Sequence, residues 1–404
     1  MRSPLDTCIS ALSWAEQRDY AGFGKGDALN SPILRKIAGR NRFLRSSFVF
    51  LLSRSPINLR PILAIEAQQN PKALALFART YLNIQALTDG DAWTPKAVSL
   101  LGSLLELSGV SSYSGHCWGA EHPRGDPSLG AEAYFPGTVV TCEVGEAFLD
   151  AFQRTHDEEY LEVAKSATEF IRRDLTVIER DDSGLCLSYV PSHSWKVINS
   201  NAKSAALMAR TGSITLDESL LEDARANMKW VIGKQTRSGA WFYADPPEAS
   251  HVSHDNYHTG FILSSLYEYL QSNEDRDVLN AYKTGLEFYE NHLFMPDGAP
   301  KWRYNRAYPL DIKGAAQGIL NFSLASELFP EKLEVAERIA IWMIENMWTP
   351  EGRFFYQKGR FLTKKYTLMR WCQSWSCFAL SVLAGAQRCA KNAADRVSES
   401  RGDR

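Results

Sequence analysis

HVSHDNYHTGFIL, residues 251–263, places His254 and His258 four residues apart with Asp255 after the first, then enters a run of small and apolar residues. The spacing is close to the H-E-x-x-H pattern, in which one helix aims two imidazoles at zinc and a carboxylate acts as base. Three features oppose that reading. The first histidine lies ahead of the apolar run that marks the helix, no third ligand follows at a zinc-binding spacing, and the acid is Asp rather than Glu. Neither HCWG at 116–119 nor RWC at 370–372 supplies the compact Cys-His-Gly signature that a Cys/Cys/His zinc site would need. No metal and no cofactor is expected.

The stretch is better explained by its counterparts elsewhere in the chain. NYHTGFIL (256–263) is preceded by NSNAKSAAL (199–207) and followed by DIKGAAQGIL (311–320), at steps of 57 and 55 residues. TVVTCEVGEAFL, starting at Thr138, and RWCQSWSCFAL, starting at Arg370, extend the series by steps of 61 and 59. A second repeat is a glycine-led turn rich in aromatics: GLCLSY from Gly184, GAWFY from Gly239, GAPKWRY from Gly298 and GRFFY from Gly352, at steps of 55, 59 and 54. Between these lie amphipathic runs such as EEYLEVAKSATEFIRRDL (158–175) and RDVLNAYKTGLEFYENHL (276–293), whose charged faces suit an outer surface. A period of this size fits a helical hairpin plus a long loop.

Six small-residue helices starting near 70, 138, 199, 256, 311 and 370 then form an inner ring. Outer helices start near 95, 158, 219, 276 and 332, and the basic segment 32–54 is expected to supply the sixth. The resulting fold class is all-α, an (α/α)6 toroid closed in a single domain over 32–390. Residues 1–31 are expected to pack on it as an extension, and 391–404 to form a polar, disordered tail. An open solenoid, the rival architecture, needs polar caps at both ends.

Composition agrees with a globular protein: 45% apolar, 23% charged, net charge −2. That balance gives no field for nucleic acid. The seven cysteines are scattered without a C-x-x-C pair, which reads as reduced thiols of a cytoplasmic protein. The first twenty residues carry no long apolar run of the secretory kind, and FVFLLS (48–53) is far too short to span a bilayer. From Leu34 to Pro61 there are seven basic residues and no acid. This is either a solvated helix face or a docking face for anionic lipid or an acidic polymer.

In the repeat frame, the helix starts converge on one mouth of the toroid. Asp255 and Asp311 sit where a short acceptor caps a helix, and also where a catalytic carboxylate would face the mouth. His254 and His258 flank the first of them. KWRYNRAYPLDIK (301–313) adds Trp302, Arg303, Tyr304, Arg306 and Lys313; arginines among aromatics ahead of a helix start suit an anion. Other entries bring Asn199, Asn201, Trp241, Tyr243, Arg370 and Trp371. Glu143 and Glu146, one turn apart on an inner helix, need partners or a raised pKa. The loop GHCWGAEHPRGDP (115–127) is a lid or merely a turn. Aromatics, amides, arginines and acids around one mouth can stack and hydrogen-bond sugars. Paired carboxylates there would cleave a glycosidic bond, and a histidine beside a carboxylate would move a proton next to a uronate carboxyl, as lyases and epimerases do.

TVVTCEVGEAFLDAF (138–152), SHDNYHTGFILSSLYEYL (253–270), WRYNRAYPLDIKGAAQGI (302–319) and MRWCQSWSCFALS (369–381), with YAGFGKGDALNSP (20–32), resemble proteins encoded with bacterial and archaeal cell-surface polysaccharide biosynthesis genes. The resemblance covers most of the chain and implies the six-hairpin toroid and a place in that biosynthesis. More distantly the chain is similar to six-hairpin glycosidases, including unsaturated glucuronyl hydrolases and N-acylglucosamine 2-epimerases. By position in the repeat, the hydrolases' catalytic acids correspond to Asp255 and Asp311, and the epimerases' inner-helix histidines to His258. The expected function is therefore a glycoside hydrolase, lyase or epimerase acting on a saccharide. The alternative is a non-catalytic subunit that binds a glycan or a lipid carrier, docked on a membrane through residues 34–61.

Overall fold

The structure, a computed structural model, describes residues 2–123 and 132–402, with side chains as far as residue 396. In chain order the helices begin with α1 (Pro4–Glu16), α2 (Pro32–Ala38), α3 (Arg42–Arg54), α4 (Pro71–Leu87) and α5 (Thr94–Glu106). They continue with α6 (Thr138–Thr155), α7 (Glu158–Arg173), α8 (Ile198–Thr215), α9 (Glu218–Gly233) and α10 (Asn256–Leu270). The last four are α11 (Arg276–Leu293), α12 (Ile312–Ala325), α13 (Lys332–Met347) and α14 (Trp375–Gly402). Helices α4, α6, α8, α10, α12 and α14 each pack on the next, and α14 packs back on α4, so the inner ring closes. This is the (α/α)6 toroid.

Three inner helices carry a side-chain cap, whereas α6 and α8 begin after Gly137 and Val197 with none. Asn70, Asp255 and Asp311 accept from the first-turn amides of Ala73, His258 and Lys313. Asp157, Asp217 and Asp275 do the same for the outer helices α7, α9 and α11. Small residues let neighbouring inner helices, and the inner and outer rings, approach closely. A β-carbon on Gly260 of α10 would lie 2.6 Å from Oε1 of Gln317 on α12, and one on Gly318 of α12 would lie 2.5 Å from the ring of Phe294.

The four repeated glycines explain how the outer ring closes. All have positive φ, and each abuts the backbone of an outer helix. Gly184 meets Ala226 of α9, Gly239 meets Thr284 of α11, Gly298 meets Arg338 of α13, and Gly352 meets Ser10 of α1. The fourth contact identifies the sixth outer helix as α1, which packs on α14. The basic segment 32–54, expected in that place, instead forms α2 and α3 outside the ring, packed on each other and on a short 3₁₀ turn at Asp27–Asn30. The segment is helical, but α3 leaves much of its apolar face in solvent. The expected tail at 391–404 continues α14 as helix through Gly402.

A Gly239→Ala variant tests the glycine contact. Its φ is +87°, and the new β-carbon would lie 2.4 Å from the Thr284 carbonyl oxygen. The left-handed backbone alone costs about 1–2 kcal/mol, so thermal melting should show at least that loss.

Small antiparallel pieces decorate the mouth. β1 (Val177–Asp181) pairs with β2 (Gly184–Leu187). β3 (Leu310–Asp311) pairs with β6 (Gln357–Lys358), which pairs with β7 (Thr363–Lys364). β4 (Trp348–Thr349) pairs with β5 (Arg353–Phe354).

Candidate active site

Asp255 reaches His258 twice. Its Oδ1 accepts from the His258 backbone N–H at 2.7 Å, capping α10, and its Oδ2 accepts from Nδ1 of the same residue at 2.8 Å. Two side chains three residues apart are thereby fixed by one carboxylate. With Nδ1 held as donor, the neutral imidazole carries its lone pair on Nε2. Burial favours the neutral acid at Asp255, but the nearby His258 and its hydrogen bond, helped by Lys313, prevail and hold the carboxyl below its usual range. The His258 ring lies against Tyr243 at 4.5 Å and Tyr257 at 5.3 Å. Tyr243 continues through Trp195 to Tyr189, and Tyr257 continues to Trp371. The dyad therefore sits in a wall of rings.

Cations gather beside it. The ammonium of Lys313 lies 4.6 Å from the Tyr257 ring, 4.7 Å from Trp371 and 5.3 Å from Trp302, an aromatic cage for a positive charge. Lys25 reaches the same two tryptophans, at 5.9 Å from each. It keeps partial solvent contact, yet protein surrounds its ammonium. Burial, with Lys313 adding to it, lowers Lys25 to about 7 against the opposing pull of Asp311 and Asp255. Arg370, on a π-helical turn at Met369–Ser374 that leads into α14, stacks on Trp371 at 4.3 Å. Nε of Arg370 and Nε1 of Trp371 are buried with no hydrogen-bond partner among the described residues. Buried donors normally have a partner, so two unpaired ones at one mouth mark a place for an acceptor.

Lys25 arrives on a loop built for it. Gly24 and Gly26 flank it, and β-carbons there would come within 2.4 Å of Glu121 and 2.5 Å of His122. Asp27 accepts from the Gly24 N–H and pairs with the buried Arg60, whose Nη2 donates to the Gly24 carbonyl at 2.6 Å. The loop at 115–123 packs over this segment through those contacts. Residues 124–127 of GHCWGAEHPRGDP lie outside the described residues.

Below the mouth an ionic column fills the toroid axis. Lys72 of α4 lies 4.1 Å from the Phe261 ring and 3.3 Å from Glu143, which Lys203 also approaches at 3.2 Å. Lys203 reaches Glu146, Glu146 meets Arg79, and Arg79 meets Asp150. Burial, with Lys203 and Arg370 adding to it, lowers Lys72 to about 7, with Glu143 opposing. Glu143 and Glu146 therefore have cationic partners, as their burial requires.

The remaining expected residues divide into two groups. Asp311 faces the mouth region, where its Oδ1 caps Lys313 and its Oδ2 accepts from Gln357 at 2.6 Å. Trp302 joins the cage. Arg303 donates to the His251 carbonyl at 3.3 Å and pairs with Arg306 across a hairpin whose tip leaves Arg306 and Tyr304 exposed. Asn199 is buried with its Oδ1 unpaired. Three expected residues have structural posts instead. Trp241 is core, its indole N–H donating to Val231. Asn201 spends its side-chain oxygen on Leu187 and Asn227, and its nitrogen on Leu187 and Val197. His254 is fixed to the Trp241 carbonyl at 2.9 Å and packed between Phe242, Phe288 and Tyr304. Only Asn201 is on an inner helix; Trp241 and His254 lie ahead of α10, and all three side chains are held within the packing.

Lys25 and Lys72 were not among the expected site residues. GKG within YAGFGKGDALNSP was the available signal, because glycines on both sides of a lysine mark a tightly packed loop. Lys72 carried none, since a single lysine after a proline reads as a helix's first turn.

No family model and no curated protein matches the sequence. Solved structures do match in shape. A family 76 α-mannanase from Bacteroides thetaiotaomicron superposes with a TM-score of 0.58 at 15% identity, covering 89% of this chain and 99% of its own. A cellobiose 2-epimerase from Bacillus thermoamylovorans gives 0.59 at 13% identity, covering 80% and 90%. An unsaturated glucuronyl hydrolase specific for heparin gives 0.60 at 12% identity, covering 81% and 90%. The chain has the six-hairpin (α/α)6 toroid fold that these three structures share.

Proposed function

We propose that this protein is a carbohydrate-active enzyme that transfers protons by general acid–base catalysis on an anionic saccharide. The observation that carries the reading is the Asp255–His258 dyad, held at 2.8 Å in a mouth lined by aromatic rings and lysines. Sugar rings would stack on Trp302 and Trp371, and Lys25 and Lys313 would take an acidic group. His258 Nε2 is then the proton-transferring atom, and Asp255 fixes its tautomer. Asp311, whose two oxygens hold Lys313 and Gln357, is a positioning residue in this scheme rather than half of a carboxylate pair. Similarly folded proteins include an epimerase, a polysaccharide lyase and a hydrolase of unsaturated glucuronyl groups, chemistries that need such a group. The sequence resemblance favours a place in cell-surface polysaccharide biosynthesis.

Incubation with uronate-containing oligosaccharides in deuterated water tests this. A cleaved or epimerised product, or deuterium at a ring carbon, is expected. Saccharide binding by calorimetry with no product and no exchange across the panel would establish the alternative, a glycan-binding subunit.

Lys25 gives the reading a pH signature. Its ammonium is charged below about 7 and neutral above, so the KM for an anionic saccharide should rise as pH passes from 6 to 8. Lys25→Arg stays charged and should flatten that rise, while Lys25→Gln should show the high KM at every pH. A wild-type KM that is flat over this range would remove Lys25 from substrate binding.

A further inference from the structure

The segment between the Lys25 loop and α4 exposes apolar side chains that the toroid does not use. Phe43 is 77% exposed and Ile62 is 77% exposed, and Ile33, Ile37, Phe50 and Leu51 are each at least half exposed. Ile33 and Ile37 stand four apart on α2; Phe43, Phe50 and Leu51 lie at seven- and eight-residue spacing on α3, so each helix keeps an apolar stripe outward. A second element joins them. Lys364 of β7 donates to the Ser53 carbonyl at 2.7 Å, and Tyr366 donates to Ser55. This ties the β6–β7 hairpin to the end of α3, and the hairpin's turn carries Phe361 at 89% exposure beside Leu362 at 68%.

The charges along this segment have one sign. No Asp or Glu occurs from Pro32 to Ile65. Arg60 is buried on Asp27, but Arg35, Lys36, Arg40 and Arg54 are exposed, as is Arg360 on the hairpin. Arg54 lies over the Phe50 ring at 4.7 Å and Arg360 over Phe361 at 5.6 Å. Aromatic and aliphatic side chains rimmed by cations match a bilayer interface: the apolar groups enter the acyl boundary, and the cations meet anionic headgroups. A protein partner would need acids around an apolar centre, whereas an anionic bilayer supplies both in bulk.

We propose that α2, α3 and the β6–β7 hairpin form a surface that docks on an anionic lipid bilayer. Among the described residues no helix is long and apolar enough to cross a membrane, so the contact is interfacial. Because α2 and α3 pack on the turn that follows Lys25, a docked bilayer would lie near the mouth and present lipid-linked saccharides to it, a consequence that rests on the saccharide reading.

Co-sedimentation of the full chain with vesicles tests the surface by itself. Binding is expected to phosphatidylglycerol-containing vesicles, weak binding to phosphatidylcholine alone, and weakening with added salt. Arg35→Gln with Lys36→Gln and Arg40→Gln, and separately Phe43→Ser with Phe361→Ser, should each reduce binding by about tenfold or more. These are surface changes, and an unchanged melting temperature confirms the fold. No sedimentation of the wild type with anionic vesicles, or Phe43→Ser/Phe361→Ser binding like wild type, would overturn the proposal. So would a dimer in light scattering that the phenylalanine changes dissociate, since the face would then belong to a second copy. His258→Gln should bind vesicles normally, which separates failure of this surface from failure of the catalytic reading.

Discussion

Replacing His258 with Gln is expected to lower turnover by about 10²–10⁴-fold, the usual contribution of a positioned acid–base group. The more informative variant is Asp255→Asn. Asn caps a helix as well as Asp does, so the bond to the His258 amide survives and stability should change little. The other side of the group changes. An amide facing Nδ1 with its NH₂ forces the ring to accept there and to carry its proton on Nε2, the wrong tautomer for a base. A loss comparable to that of His258→Gln is therefore expected, with KM nearly preserved. Asp255→Ala removes the cap as well and should cost about 1 kcal/mol of stability in addition. Near wild-type turnover in Asp255→Asn, with the melting temperature unchanged, would reduce Asp255 to a cap and end the dyad reading.

Arg60→Met should be the most damaging change outside the mouth. Arg60 and Asp27 are buried to 1% and 2% exposure and joined at 2.8 Å. Removing one partner of such a pair leaves an uncompensated charge and costs about 3–5 kcal/mol. Burial already raises the Asp27 carboxyl above its ordinary range, against the pull of Arg60. Without Arg60 it rises further, so folding is favoured where Asp27 is protonated and loses stability as pH climbs through its folded value. Denaturant unfolding should thus show a larger deficit at pH 7 than at pH 5. An equal deficit at both would mean that Asp27 is not the group left unpaired. Because Asp27 and Arg60 also grip Gly24, the variant should loosen Lys25 and raise the KM for an anionic saccharide.

Much of the architecture was legible because two independent repeats carried it. The polar residues ahead of α4, α10 and α12 recur as caps, and the glycines recur because each turn runs into an outer helix backbone. Those glycines also held the correct answer about closure. Gly352 needs an outer helix to abut, and α1 provides it at Ser10. The basic segment looked helical and was helical, but amphipathicity says only that a helix has an apolar face, not that the face is buried.

The site was legible in kind and only partly in detail. Asp255, His258, Trp302 and Trp371, drawn from three repeats, lie close together at one mouth. Asn201, in the first turn of α8, and Trp241, in the glycine-led turn ahead of α10, point into packing instead, because spacing fixes where a residue sits along the chain and not which side its side chain takes.

The amino-acid sequence by itself determined the period, the helical hairpins and the set of segments that meet at one mouth, because caps, glycines and apolar spacing are local requirements. Only the tertiary structure decided which charges face one another. It brought Lys25, from the N-terminal loop, beside Lys313, nearly three hundred residues away, and tied the β6–β7 hairpin to the end of α3 through Lys364 and Tyr366. Contacts of that range depend on how the ring closes, which no local pattern encodes.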